Sequence, residues 1–227
     1  MRAKAKNFTT FEQWHHQDVA KKLNVRLSET KSQLFREWVE KVSPMLPAQW
    51  ADFITFCRKD LIRQYESWNE TELLAHFIVP FLKTVEWYTD DFNLFHDRPL
   101  KAVVKGYPVS GIVDGMVASG TYEPYEPYFF LHEYKKMKGT DADPLGQLLI
   151  AMLAARELNR DDQPMYGCYI IGTYWRFVLL EGDMYCQSQG YDASDEGEIQ
   201  IIWSILHQTK LYVEERVKES LARQNQK

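Results

Sequence analysis

Apolar positions recur along this chain with two periods, and each change of period marks an element boundary. The first ten residues are basic and polar and carry neither period. Phe11 to Leu23 predicts a short helix. Ser28, followed by Lys31, opens a second, with Leu34, Phe35, Trp38, Val39 and Val42 as its stripe, and Ser43-Pro44-Met45-Leu46-Pro47 breaks it. A third helix is predicted from about Ala48 through Trp50, Phe53, Ile54, Cys57, Leu61, Ile62 and Tyr65 to Trp68. Asn69 then stands as an N-cap before a fourth, whose stripe is Leu73, Leu74, Phe77, Ile78 and Phe81.

From Glu86 to Tyr107 the pattern turns strand-like and turn-rich, with Phe92-Asn93-Leu94-Phe95 and Ala102-Val103-Val104 around Asp97-Arg98-Pro99. Two further strands follow, Ile112 to Ala118 and Tyr128 to Lys135, joined by a Gly-Thr-Tyr-Glu-Pro-Tyr-Glu-Pro loop. Asp143 to Arg156 reads as an apolar helix with a proline near its start, the kind that packs directly on a sheet, and Gln147 is the polar residue of its first turns. Met165 to Leu180 reads as strand, Gly-Thr turn and strand, with Trp175 and Phe177 alternating with Arg176. A shorter strand around Met184-Tyr185-Cys186 and an acidic stretch from Asp192 to Glu198 lead to a closing amphipathic helix, Ile199 to Leu221, carried by Ile202, Ile205, Leu206 and Leu211.

Chemistry gathers on the two central strands. Side chains alternate across a strand, so Glu133 and Lys135 leave one face while Tyr134 leaves the other, and Asp114 is available from the neighbouring strand. Two converging carboxylates repel unless a cation lies between them, and oxygen ligands of this kind suit Mg²⁺ or Mn²⁺. A lysine beside such an ion orients or helps deprotonate a water, or offsets charge building on a phosphate, which points to phosphodiester hydrolysis. The alternative from the residues alone is an i,i+2 pair, Glu133 with Lys135, on a solvated strand face.

The stretch from Ser110 to Lys138 resembles the core of the PD-(D/E)XK nucleases, the restriction-endonuclease-like superfamily, with Asp114 at the first acid and Glu133-Tyr134-Lys135 as the (D/E)xK. A proline before the first acid is often absent in that family, and here the preceding residue is Val113. The resemblance spans roughly Glu70 to Phe177 and is closest to the nuclease domain of type I restriction motor subunits. It implies a glutamate near the start of the fourth helix that reaches the metal site. Glu70 shares a face with Leu73, Leu74 and Phe77 and is favoured over Glu72, which points toward His76; a capping-turn role is the alternative for either acid. It also implies that Gln147 points to the site or to substrate phosphate, the alternative being an ordinary edge residue. The expectation is an α/β fold, a restriction-endonuclease-like central mixed sheet of four to six strands flanked by the Glu70 and Gln147 helices. Residues 1–68 would form an N-terminal helical extension and residues 69–227 the nuclease-like domain. The function so implied is a Mg²⁺- or Mn²⁺-dependent DNA endonuclease, in defence or repair, with Asp114 and Glu133 as metal ligands and Glu70, Asp114, Glu133, Lys135 and Gln147 as the catalytic set. A catalytically inactive module binding nucleic acid or a protein is the competing class.

Composition adjusts this picture at three points. A formal charge of −5 on 227 residues argues against strong non-specific DNA binding by the whole molecule, so phosphate contacts fall to a local supply. That supply is Arg98, Lys101, Lys105, Lys135, Lys136 and Lys138. Arg58, Lys59 and Arg63 form a modest patch on the third helix, and the N-terminal helices have three open uses: a cap on the core, a homodimer surface, or a hold on DNA. Cys57, Cys168 and Cys186 lack metal or redox spacing and read as buried thiols of a reducing compartment. The six histidines form no zinc set, and His15-His16 reads as solvated helix surface. With no secretory leader or membrane-spanning run in the pattern, the cytoplasm is the expected location.

Overall fold

The computed structural model describes residues 8–135 and 143–224, with side chains through residue 220. In chain order the elements are β1 (Thr9–Thr10), a 3₁₀ turn (Phe11–Gln13), α1 (His16–Leu23), β2 (Arg26–Leu27), α2 (Gln33–Phe35), which runs on through a π-helical turn (Arg36–Glu40), and α3 (Ala48–Gln64). The next helix is continuous in three parts: α4 (Glu70–Leu73), a π-helical turn (Leu74–Ile78) and α5 (Val79–Lys83). Strands β3 (Phe92–Val104), β4 (Tyr107–Ser119) and β5 (Tyr125–Lys135) follow, then α6 (Pro144–Asn159), β6 (Met165–Ile171), β7 (Tyr174–Glu181), β8 (Met184–Gln187), β9 (Tyr191–Asp192) and α7 (Glu196–Gln224).

These strands make one mixed sheet of nine strands among the described residues. Strands β3, β4 and β5 are an antiparallel meander; α6 then carries the chain across to β6, which lies parallel to β5. Antiparallel β7 and β8 extend the sheet. Buried side chains alternate between two layers. Phe130, Cys168, Ile170, Trp175 and Phe177 pack with α3, α4, α5 and α7, whereas Leu131, Tyr169, Val178 and Leu180 pack with α6 and α1. Where α7 meets this core, the buried indoles Trp38 and Trp203 donate to the hydroxyls of Thr209 (2.8 Å) and Thr84 (3.0 Å), so their polar ends cost little desolvation.

Several expectations change. The sheet exceeds six strands because β1, β2 and β9 are two residues long, too short to show any alternation. Residues 8–68 do not form a helical extension: β1 pairs with β4, β2 pairs with β8, and Phe35, Trp38, Ile54, Cys57 and Leu61 enter the core. Their stripes are spent within the chain, leaving Phe53, Phe56 and Ile62 exposed on α3. The second helix is capped by Ser32, whose hydroxyl accepts from the Phe35 amide at 3.1 Å, while Ser28 pairs with Tyr185 beyond β2. In α7, Leu211 is exposed and Val213 and Val217 are buried in its place. Among the described residues no helix is long and apolar enough to cross a membrane.

The start of α6 is fixed by a long-range contact that its sequence did not suggest. Asp143 is the N-cap, and its Oδ1 accepts from the Gly146 amide at 3.0 Å. Its Oδ2 accepts from the backbone N–H of His16 at 2.7 Å and contacts the His16 ring Nδ1 at 2.5 Å. A Cβ on Gly146 would fall 2.4 Å from the Trp14 carbonyl oxygen, so only glycine lets residues 14–16 lie against this turn. His15-His16 is therefore a clamp on α6 and not simply a solvated helix surface. Burial opposes ionisation of Asp143, but the bonds from His16 and Gly146 outweigh it and hold its carboxyl below the ordinary value of 3.8. A depressed carboxyl stabilises the fold above the unfolded value and loses that contribution as pH falls through the folded one. Asp143→Ala should cost about 1–2 kcal/mol at pH 7, the scale of a lost N-cap. In chemical denaturation the difference from wild type should shrink as pH is taken below 3.8; a gap that stays constant would refute the charged cap.

Candidate active site

Four of the five residues singled out above meet at the C-terminal end of β5. Strand alternation sends Glu133 and Lys135 to one side, and the Lys135 ammonium lies 3.0 Å from Glu133 Oε1. The same ammonium is 3.3 Å from Glu70 Oε1, which arrives from the first residue of α4. Asp114, in the middle of β4, accepts a hydrogen bond at its Oδ2 from the backbone N–H of Tyr134 at 2.9 Å. Glu133 is buried, Asp114 and Lys135 are partly buried, and Glu70 is half-exposed. The pair Glu133–Lys135 is accordingly not on a solvated face.

The two acids of the fourth helix divide their roles. Glu72 closes a capping box: its Oε2 accepts from the Asn69 amide at 2.7 Å, and its own amide donates to Asn69 Oδ1 at 2.9 Å. Glu70, left outside that box, is the one in contact with Lys135. Gln147 is buried in the first turn of α6 and is no edge residue.

Beneath Asp114 the β3–β4 ladder has a fault. Every cross-strand pair from Phe92↔Ser119 to Val104↔Tyr107 forms except Asp97 with Asp114. Asp97 sits there at φ 50°, a left-handed conformation that costs an L-residue roughly 1–2 kcal/mol and that aspartate tolerates better than most. Alternation changes phase at that level. Before it, Phe92 and Leu94 pack toward α7 and Phe95 toward α6; after it, the even residues Leu100, Ala102 and Val104 join the α6 side. On β4, Met116 and Ala118 lie on the α6 side, as do Val113 and Val109. At this gap His96 Nδ1 stands 3.3 Å from the Asp114 carbonyl oxygen. His96, Gly115 and His132 form one row across β3, β4 and β5. A Cβ on Gly115 would lie 1.7 Å from His132 Nε2, so the glycine is the space that the His132 ring occupies. His132 is 1 % exposed and neither ring nitrogen has a hydrogen-bond partner among the described residues, and burial drives its basicity down to about 3.

The sequence reading missed Asp97, His96, Gly115 and His132. Asp97-Arg98-Pro99 looked like a turn because it combines a turn former with a proline. Proline is tolerated because β3 is an edge strand, paired with β4 alone. The expected basic supply is largely committed: Lys105 pairs with Asp183 at 2.6 Å, Arg98 reaches Glu123 at 3.6 Å, and Lys101 lies over the Phe8 ring at 4.1 Å. Lys136 and Lys138 lie outside the described residues. On α3, Arg58 donates to the Ser194 carbonyl at 2.7 Å, tying that helix to the start of α7.

The donor set fits a hard divalent cation. Burial first, then the charge of Asp114, pushes the Glu133 carboxyl up to about 8, with Lys135 pulling against both. Burial likewise raises Asp114 against the Tyr134 N–H and Lys135. Two acids that resist ionising together gain from a positive charge between them, and an octahedral ion takes its remaining oxygens from water or phosphate. Among the described residues no group of three or more His, Cys, Asp or Glu is arranged around a common point. Neither the protein-family models nor the curated proteins contain a match to this chain.

A raised carboxyl is protonated in the fold where the unfolded chain is ionised, so it costs stability as pH climbs from 4.5 toward 8 and no further above that. In chelator, the melting temperature of Glu133→Gln relative to wild type should therefore rise across this window and level off above it. Saturating Mn²⁺ should reverse the order. Melting curves that stay parallel from pH 5 to 9 would remove the buried acid from the account.

Proposed function

We propose that this chain is a metal-dependent nuclease of the PD-(D/E)XK, restriction-endonuclease-like kind, acting on phosphodiesters of DNA. The observation that carries the reading is the convergence of Asp114, Glu133 and Lys135 from adjacent strands, with Lys135 3.0 Å from Glu133 and Asp114 fixed by the Tyr134 N–H. The order of elements supports it: a helix bearing Glu70, three antiparallel strands, a crossover helix bearing Gln147, and a strand parallel to the third.

Each residue has a definable task. Asp114 and Glu133 hold Mg²⁺ or Mn²⁺, which supplies positive charge and Lewis acidity at the scissile phosphate. Burial opposes the charge on Lys135, yet Glu133, Asp114 and Glu70 outweigh it and hold its basicity above the ordinary value. A lysine so held stays protonated, which makes it a donor to the phosphate as charge accumulates in attack and disqualifies it as the base. The buried Gln147 amide supplies a neutral donor and acceptor beside the sheet for water or phosphate.

The test is Mn²⁺-supported cleavage of supercoiled, linear and single-stranded DNA. Lys135→Met keeps the stem and loses the charge, so cleavage should fall by about 10² or more, the scale of one transition-state electrostatic contact, with Mn²⁺ binding retained. Unchanged cleavage would refute the role of Lys135. No cleavage of any substrate by wild type, with Mn²⁺ bound, would favour a binding module built on this fold.

A further inference from the structure

Lys135 touches two carboxylates from different elements, Glu133 two residues before it on the same strand and Glu70 from α4. A divalent cation on Glu133 would place two positive charges against the ammonium at hydrogen-bond range, and that contact would become repulsive. The lysine then has to leave Glu133, and its other acidic contact among the described residues is Glu70 at 3.3 Å. Glu70 is well placed to receive it. Its backbone is fixed at the first turn of α4 by the Asn69–Glu72 capping box, and Glu72 is committed to that box. Its side chain is 39 % exposed where that of Glu133 is 9 %, so it stands on the solvent side of the cluster, where a polyanion would arrive.

We infer that Glu70 is the receiving partner of Lys135: when a cation takes Glu133, the ammonium passes to Glu70, which acts through the lysine as a positioning residue and does not itself ligate the ion. In the cation-free site Lys135 lies against Glu133 at 3.0 Å; in the loaded site it is held outward at Glu70, facing substrate phosphate. This rests on the reading of Asp114 and Glu133 as a cation pair.

A double-mutant cycle on Mn²⁺ affinity separates the two questions. Calorimetry on wild type, Glu70→Gln, Lys135→Met and the double variant uses the full chain and no substrate, with melting temperatures confirming that each is folded. With Lys135 present, Glu70→Gln leaves the ammonium on Glu133, and Mn²⁺ binding should weaken about tenfold, the change expected from one lost interaction of ordinary strength. With Lys135 replaced by Met the same change should cost less than about twofold, because nothing remains to be moved. Glu70→Ala should repeat the pattern and serves if the glutamine variant does not fold. An equal loss in both backgrounds means that Glu70 binds the ion directly and overturns the inference. Wild type that binds no Mn²⁺ at millimolar concentration is a different failure, that of the cation pair itself.

Discussion

Two carboxylates contact one ammonium at the end of β5 and a third, Asp114, lies within its field, and most of the surrounding structure is occupied with making that tolerable. Glu133 and Asp114 are withdrawn from water on a sheet, and the charge of Asp114 adds to the cost of ionising Glu133. An isolated buried carboxylate would not persist in charged form. Lys135 offsets part of the repulsion, and the Tyr134 N–H offsets part of what Asp114 loses in desolvation. The same field keeps Lys135 protonated.

The scaffold fixes this arrangement through backbone contacts. The parallel pairing of β5 with β6 continues past the strand end, where the Gly172 amide donates to the Lys135 carbonyl at 2.9 Å, so the lysine's main chain is pinned at its last described position. The start of α6 is pinned independently by Asp143 and the residues around His16. Two segments remote in sequence thus bracket the site, one from the N-terminal region and one from the turn between β6 and β7. That is why residues 8–68 are part of the sheet and core: they hold the crossover helix that carries Gln147.

How much of this was legible depended on whether a feature had a period. The Glu133–Lys135 alternation, the apolar α6 and the strand pair on either side of Gly172 are repeating patterns, and their extents can be read closely from the sequence. The β3 strand is continuous through Asp97-Arg98-Pro99, but its alternation reverses there, so a periodic reading cuts it in two. The two-residue strands have no period at all, and the His16–Asp143 clamp joins residues 127 positions apart. The choice of Glu70 over Glu72 had a local signal, since an acid three residues after Asn69 marks a capping box and frees the other acid. His132 had none: a histidine in an aromatic strand gives no hint that a glycine on the next strand is its socket.

The costs in this fold are not spread evenly. A left-handed aspartate, a fully buried imidazole without hydrogen-bond partners among the described residues and a carboxyl raised to about 8 all lie within one cross-strand row of Asp114. Each is a feature that a sheet optimised for stability would lose by one substitution, and backbone strain and desolvation of this sort persist where the surrounding structure over-determines them. The rest of the core follows ordinary packing, with the indoles of Trp38 and Trp203 satisfied by threonines and the starts of α2, α4 and α6 capped by side chains. The phase change at Asp97 is what ties these costs together. Without it, Asp114 would keep the alternation set by Val109 and Val113 and be placed in the wrong layer to meet Glu133. A hairpin that changes face in mid-strand is therefore the condition for bringing an acid from β4 to the lysine on β5.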